Sequence, residues 1–211
     1  MLNDNERRAP QWRALLGEYC APRLGGSPGE WARANVAAFE RSWSRFVAHL
    51  EQAGDACGVE RWTLDDRQVW LGDMCREVGV VPPAEGDAFV RGLTAFVNGR
   101  VRAEIPGAVE AVRALARRGL LLHMASGGLS WELEPYLRGL GIREHFRGLY
   151  GPDLVDRYKN GPHYYTALLA DAKTDPAHAV VVEDAAKARA WAAVVGMRSY
   201  SSLGELVAAL D

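Results

Sequence analysis

Lysine is almost absent from this chain: only Lys159, Lys173 and Lys187 stand among its 25 basic residues, and the rest are arginines. Neither sign of charge dominates, because 27 acidic side chains leave a formal net charge of −2. That balance removes the electrostatic reason to expect nucleic acid or an acidic membrane surface as partner. No apolar run approaches the roughly 18 residues of a membrane span. The opening MLNDNERRAP is polar where a secretory signal would be apolar. Three cysteines, Cys20, Cys57 and Cys75, show no C-x-x-C spacing, which suits neither a zinc site nor a disulfide framework. They read as reduced thiols of a cytoplasmic protein. The five histidines, His49, His123, His145, His163 and His178, have no ligand-like spacing either. The arginine, alanine and glycine content suggests a GC-rich bacterial coding sequence.

What remains is an ordinary globular chain of 211 residues, long enough for one domain carrying a smaller insertion. Its two halves follow different periods. From residue 10 to about 102 the apolar spacing is helical. Pro10 to Cys20 reads as a short helix. Ser27-Pro28-Gly29-Glu30 then has the form of a capping box with proline at the first helical position. The stripe Trp31, Phe39, Trp43, Phe46, Val47 and Leu50 follows and stops at Gly54. Thr63 to Asp66 repeats the start signal for a third helix, and a fourth follows Pro82-Pro83. Four such helices predict an antiparallel bundle whose tryptophans, Trp12, Trp31, Trp43, Trp62 and Trp70, form its core.

Near Ile105-Pro106-Gly107 the pattern changes to alternation. Strands are predicted at Leu120 to Ala125, Gly148 to Gly151, Ala179 to Val182 and Met197 to Tyr200. Helices are predicted at Ala108 to Arg118, Leu133 to Leu140, His163 to Ala172 and Ala185 to Val195, with one more at the carboxyl end. That alternation predicts a Rossmann-like α/β core with a parallel sheet, whose ligands bind at the carboxyl ends of the strands. The predicted division is a helical domain over 1–103, including a polar lead-in at 1–10, and an α/β core over 104–211.

The polar residues at those strand ends are few. Ser126-Gly127-Gly128 follows the first strand, giving a hydroxyl and exposed amides suited to an anion, or simply a turn. Lys159 opens Lys159-Asn160-Gly161-Pro162 and could neutralise a phosphate, or be a solvated loop lysine. Glu183-Asp184 ends the apolar run Val180 to Val182. Two adjacent carboxylates there suit Mg²⁺ with substrate phosphate, while Asp184 as a helix cap is the structural reading.

Together these segments resemble the haloacid dehalogenase-like hydrolase superfamily, in its phosphatase and phosphoglucomutase-like branch with a helical cap. The resemblance covers about residues 105 to 200. Ser126 matches the second motif, and Lys159 with Pro162 and Tyr164 or Tyr165 the third. Glu183-Asp184 through Gly196-Met197 matches the fourth. The resemblance implies an inserted helical bundle that closes over the site as a cap. It also implies Mg²⁺-dependent phosphomonoester hydrolysis of a small phosphorylated metabolite through an aspartyl-phosphate. Ser126, Lys159 and Asp184 would be catalytic, Ser126, Gly127 and Lys159 would bind substrate, and Glu183 and Asp184 would hold the metal.

One element of the pattern is missing. The family's first motif is a central apolar strand ending Asp-x-Asp, which carries the nucleophile. Here only Met1 and Leu2 precede Asn3-Asp4-Asn5, so Asp4 reads as part of a frayed polar lead-in and not as that nucleophile. The expectation is a start assigned too far downstream, leaving the chain as given inactive. The alternative is a family member without catalysis that binds a ligand or partner. Without the missing strand, those ending at Ala125 and Val182 must pair directly, leave a cleft, or recruit a strand from elsewhere.

Overall fold

The computed structural model describes residues 2–53 and 58–210, so the predicted helix stop at Gly54 and the thiol of Cys57 lie outside the described residues. The chain divides into two units, Asn5–Arg102 and Met1–Asp4 with Ala103–Asp211. Among the described residues no helix is long and apolar enough to cross a membrane.

The unit Asn5–Arg102 holds four helices, α1 (Asn5–Leu24), α2 (Pro28–Ala53), α3 (Val59–Val78) and α4 (Gly86–Asn98). Both α1 and α3 pack against α2 and α4, which closes the ring. Leu16, Trp31, Trp70, Met74 and Leu93 are buried in its interior. An indole buried this deeply needs a partner for its N–H. Trp31 donates to the Gly25 carbonyl at 2.8 Å and Trp70 to Asn35 Oδ1 at 3.2 Å. Gly17 lets α1 meet the start of α2, where an added Cβ would lie 2.3 Å from the Pro28 carbonyl oxygen. Cys20 and Cys75 are free and buried. Burial, with Cys75 adding, pushes the Cys20 thiol up to about 12.

The capping box forms as the sequence predicts. Ser27 N donates to Glu30 Oε2 at 2.7 Å, and Glu30 N donates to Ser27 Oγ at 3.3 Å. Other expectations need correction. Helix α1 begins at Asn5, so Pro10 sits inside it. Helix α3 begins at Val59 after Gly58, and Thr63 lies within it, donating its hydroxyl to the Val59 carbonyl at 2.8 Å. A threonine in a helix interior can bond the preceding turn, which imitates a cap in sequence alone. The tryptophans also divide: Trp31 and Trp70 are core, whereas Trp43 is 57% exposed and Phe39 56%. Apolar periodicity marks a face but does not say what covers it.

Between α2 and α3 a buried carboxylate organises the polar contacts. Arg76 Nη1 and Arg41 Nε reach Asp73 at 2.8 and 3.1 Å, and Arg45 Nη1 lies at 3.6 Å. Burial works to raise the Asp73 carboxyl, but hydrogen bonds from Arg76 and Arg41 hold it below the usual range.

The second unit contains α5 (Ala108–Arg117), β1 (Leu122–Ala125), α6 (Ser130–Gly139), β2 (Phe146–Tyr150), α7 (Pro152–Val155), α8 (Pro162–Asp171), β3 (Val180–Val182), α9 (Ala186–Val194), β4 (Arg198–Tyr200) and α10 (Leu203–Ala209). All four predicted strands form, with boundaries that differ from the predicted ones by one or two residues. Helix α6 starts three residues before its predicted position, because Glu132 accepts the Leu129 N–H at 3.1 Å.

The strands form two separate parallel pairs. Ala125 stands opposite Tyr150 in β1–β2, and Val182 opposite Tyr200 in β3–β4. Among the described residues no strand joins β1 to β3. Of the three expected outcomes, neither direct pairing of β1 with β3 nor a recruited strand occurs among the described residues. Side chains join the halves instead. Tyr150 of β2, Val181 of β3 and Met197 belong to one buried cluster with Tyr164, Tyr165, Leu168 and Leu169 of α8.

Residues 2–4 are not frayed. Asn3 forms an antiparallel bridge with Glu104, Asp4 N donates to the Ala103 carbonyl at 2.8 Å, and Leu2 is buried. Asp4 therefore ends no parallel strand of the core.

The Asp73 cluster has a measurable signature. A carboxyl held below its unfolded value stabilises the fold above that value and loses the effect as pH falls through its folded one. Asp73→Asn is expected to lower the Tm at pH 7, with the deficit against the unsubstituted protein shrinking below about pH 4. A deficit independent of pH would mean that packing, not charge, is what Asp73 contributes.

Candidate functional site

Parallel pairing sends β1, β2 and β3 out at the same kind of end, and the polar residues lie just beyond those ends. After β1 the backbone turns through Ser126-Gly127-Gly128. Ser126 N donates to the Tyr150 carbonyl at 2.9 Å, and Ser126 Oγ accepts the Gly128 N–H at 3.0 Å. Gly127 is exposed, and an added Cβ there would meet nothing within 4 Å. The hydroxyl is spent on shaping the turn, which leaves its proton for another acceptor.

A second loop locks the first. Ser130 N donates to Asp153 Oδ1 at 2.8 Å, and the Ser130 hydroxyl donates to Asp153 Oδ2 at 2.5 Å. Gly151 is where the two backbones meet. An added Cβ would lie 2.4 Å from Ser130 N and 2.6 Å from the Gly128 carbonyl oxygen. Only glycine permits that approach.

Lys159 spans the two half-sheets. Its Nζ donates to the Ala125 carbonyl at 3.1 Å, at the end of β1, and to Glu183 Oε2 at 2.5 Å, just past β3. The ammonium also lies 6.0 Å from the centre of the Tyr165 ring. Glu183 is 7% exposed, and a carboxylate that deep needs a charged partner. Burial pushes the Tyr165 phenol well above its usual range, and the charge of Glu183 adds to the effect. Tyr164 is fully buried and donates to the Tyr150 carbonyl at 2.7 Å, with the Ser126 carbonyl 3.2 Å away.

Asp184 is exposed where Glu183 is buried. Interaction with the Glu183 side chain, with backbone N–H groups adding and partial burial opposing, holds the Asp184 carboxyl below the usual range. Arg189 fixes this turn from below, donating to the Glu183 carbonyl at 2.8 Å and the Asp184 carbonyl at 2.7 Å.

The structure thus brings Ser126, Gly127, Lys159, Glu183 and Asp184 to adjacent strand ends. Glu183 and Asp184 take different environments. Asp184 is exposed and in contact with the Glu183 side chain, while Glu183 commits Oε2 to Lys159. Among the described residues no group of three or more acidic, histidine or cysteine side chains gathers to hold a metal. Hard oxygen donors of this kind suit Mg²⁺, which takes one or two carboxylates and completes its shell with water and phosphate oxygens. Asp184 fits that requirement in this geometry.

Sequence reasoning missed Asp153, Gly151 and Arg189. Gly151 and Asp153 follow a strand end as Ser126 does, and that position was the signal. Arg189 acts on backbone carbonyls, which residue patterns do not name.

A Rossmann-like core with polar residues at its strand ends, and a helical insertion, defines a class of α/β hydrolases. The family model of the haloacid dehalogenase-like hydrolases matches residues 23–195. The chain belongs to that family. No curated protein matches the sequence significantly. Among solved structures, a defluorinating L-2-haloacid dehalogenase is similar at 18% identity, covering 92% of this chain and 74% of that one, with a TM-score of 0.63. The L-2-haloacid dehalogenase from Xanthobacter autotrophicus is 16% identical over 94% of this chain and 72% of that one, with a TM-score of 0.61. A phosphatase of the family from Thermococcus onnurineus is 15% identical over 100% of this chain and 93% of that one, with a TM-score of 0.56. At these identities the likeness is one of fold.

Lys159→Met would leave the Glu183 carboxylate buried without its cation, so it is expected to destabilise by about 3 kcal/mol in urea unfolding. Lys159→Met/Glu183→Leu should recover most of the loss, because neither charge then remains to be desolvated. A single variant within about 0.5 kcal/mol of the unsubstituted protein would show the pair to be solvated in solution.

Proposed function

We propose that this protein is a cytoplasmic, Mg²⁺-dependent phosphomonoester hydrolase acting on a small phosphorylated metabolite through an aspartyl-phosphate. The observation that carries this reading is the exposed, ionised carboxylate of Asp184, set beside the Lys159–Glu183 pair and the Ser126-Gly127 turn. That arrangement offers an anionic seat for a divalent cation next to cationic and amide donors for a phosphate. The buried thiols of Cys20 and Cys75 suit a reducing compartment.

In this reading the Ser126 hydroxyl and the Gly127 amide donate to phosphate oxygens. Lys159 neutralises phosphate charge while its tie to Glu183 keeps the ammonium at the strand ends. Asp184 holds Mg²⁺, which when bound supplies positive charge against the phosphoryl oxygens. The nucleophilic aspartate belongs on a strand seated between β1 and β3, and among the described residues no strand is there. In this route an aspartate in that seat would form a bond to phosphorus as the ester P–O bond breaks, and the leaving alkoxide would take a proton from water to become the alcohol. Water then hydrolyses the acyl phosphate and regenerates the carboxylate.

A second reading follows from the same residues: the chain as given binds a phosphorylated ligand or a partner without turning it over. The experiment compares this chain with the product of the same coding frame read from upstream of Met1. If that frame supplies an apolar strand ending Asp-x-Asp, the longer protein is expected to release phosphate from p-nitrophenyl phosphate only with Mg²⁺, whereas an in-frame stop just before Met1 overturns the expectation of a misassigned start. Asp184→Asn should cost at least about a hundredfold. Halide release from a 2-haloacid without Mg²⁺ would replace the phosphatase reading with dehalogenation. No turnover by either protein, with inorganic phosphate still bound, would favour the second reading.

A further inference from the structure

Among the described residues, α3, α5, α6, α8 and α9 end in the same way. The backbone turns left-handed at one residue, and the N–H groups of that residue and its successor return to carbonyls of the last turn. After α3, α5, α6 and α9 that residue is glycine: Gly79, Gly119, Gly141 and Gly196. After α8 it is Lys173, with a φ of 52°. Lys173 N donates to the Ala170 carbonyl at 3.2 Å, and Thr174 N to the Leu169 carbonyl at 3.0 Å. Glycine adopts this conformation freely, whereas a side chain strains it. A positive charge is favourable beside the carbonyls of a helix end. Ala172, with an ordinary helical φ of −68°, offers that place without strain. Strain of this kind collects at sites that clamp a ligand.

Lys173 lines a surface pocket of about 490 Å³, within the range of small-molecule sites. The pocket lies at the carboxyl end of α8, whereas Lys159 precedes its amino end, so about 15 Å of helix separates the two. Leu169, Ala170, Pro176 and Val195 form its apolar part, and Lys173 and Asp175 bring one charge of each sign. Thr166 and Thr174 also line it. Their hydroxyls donate to the Pro162 and Ala172 carbonyls at 3.3 and 3.1 Å, so toward a ligand these oxygens can only accept. Asp175 Oδ1 accepts the Ala177 N–H at 2.8 Å, and Oδ2 takes no part in that bond. Asp171 stands outside the lining, its Oδ2 taking the Tyr150 hydroxyl at 2.8 Å. A simple anion is opposed here by Asp175, and a simple cation by Lys173. A molecule with both charges on neighbouring groups satisfies the pair, its ammonium facing the acceptors and its carboxylate the lysine. The apolar part then takes a hydrocarbon side chain.

We infer that the pocket at the carboxyl end of α8 binds a free α-amino acid with an apolar side chain, its carboxylate on Lys173 and its ammonium on Asp175. The inference is independent of the reaction proposed above.

Isothermal titration calorimetry of the full chain with L-phenylalanine, up to about 10 mM, tests it. Saturable binding is expected. 3-Phenylpropionate, which lacks the ammonium, and phenethylamine, which lacks the carboxylate, should each bind at least about tenfold more weakly. Lys173→Gly should raise the Tm, because glycine relieves the left-handed turn, while weakening L-phenylalanine at least about tenfold. Asp175→Asn keeps an oxygen for the Ala177 N–H and should cost binding to a similar degree. No saturation by L-phenylalanine overturns the proposal, and so does equal binding of either analogue. A Tm lowered by Lys173→Gly, with binding unchanged, would show that the lysine serves only the helix end, which also overturns it. Should Lys173→Gly fail to fold, Lys173→Asn, which tolerates the left-handed region, replaces it with the same expected loss of binding.

Discussion

Lys159 is the point on which the core depends. Two pairs of parallel strands share no backbone ladder, so nothing in sheet hydrogen bonding fixes where the end of β1 stands relative to the end of β3. The ammonium does so by bonding a carbonyl of the first and a carboxylate beyond the second. Helix α8 adds the apolar part, with its two tyrosines and two leucines packed between β2 and β3. An ion pair at this depth is retained for position more than for net energy, since desolvation takes back most of the attraction. Its consequence is local: the same contact that joins the halves also sets the residues proposed for chemistry.

The polar groups around that contact act mainly on backbone. Tyr164 serves the carbonyl of Tyr150, and Arg189 serves those of Glu183 and Asp184. Ser126 shapes the turn that carries it. Each removes an orphan carbonyl or amide that a strand end would otherwise leave buried. Strand ends are where a sheet stops satisfying its own hydrogen bonds. They are therefore where polar side chains collect and where a ligand finds donors.

Much of this was legible in the residues. The change of period near Ile105 separated helical from alternating sequence, and the capping box at Ser27 marked a helix start that the structure reproduces. Ser126, Lys159 and the pair Glu183-Asp184 each had an ordinary structural reading alone and stood out because their order along the chain resembles the family's motifs. The failures have equally specific causes. Thr63 mimics a cap because its hydroxyl serves the helix interior. Phe39 and Trp43 obey helical spacing, yet spacing does not reveal that the bundle leaves them uncovered. Arg189 was invisible because its targets are carbonyls that every residue has. The split into Glu183 buried and Asp184 open could not be read either, since adjacent acidic residues look alike until a lysine 24 positions away chooses one of them.

The contact between Gly151 and the turn after β1 carries a thermodynamic consequence. Asp153 grips both the amide and the hydroxyl of Ser130, and Gly151 presses its backbone against Gly128, so the Ser126–Gly128 segment is ordered as part of folding. A loop immobilised in advance pays no conformational entropy when an anion arrives, and its amides need no reorientation. In the proposed phosphate site, loosening the second loop would weaken binding through entropy, without removing a donor of the Ser126-Gly127 turn.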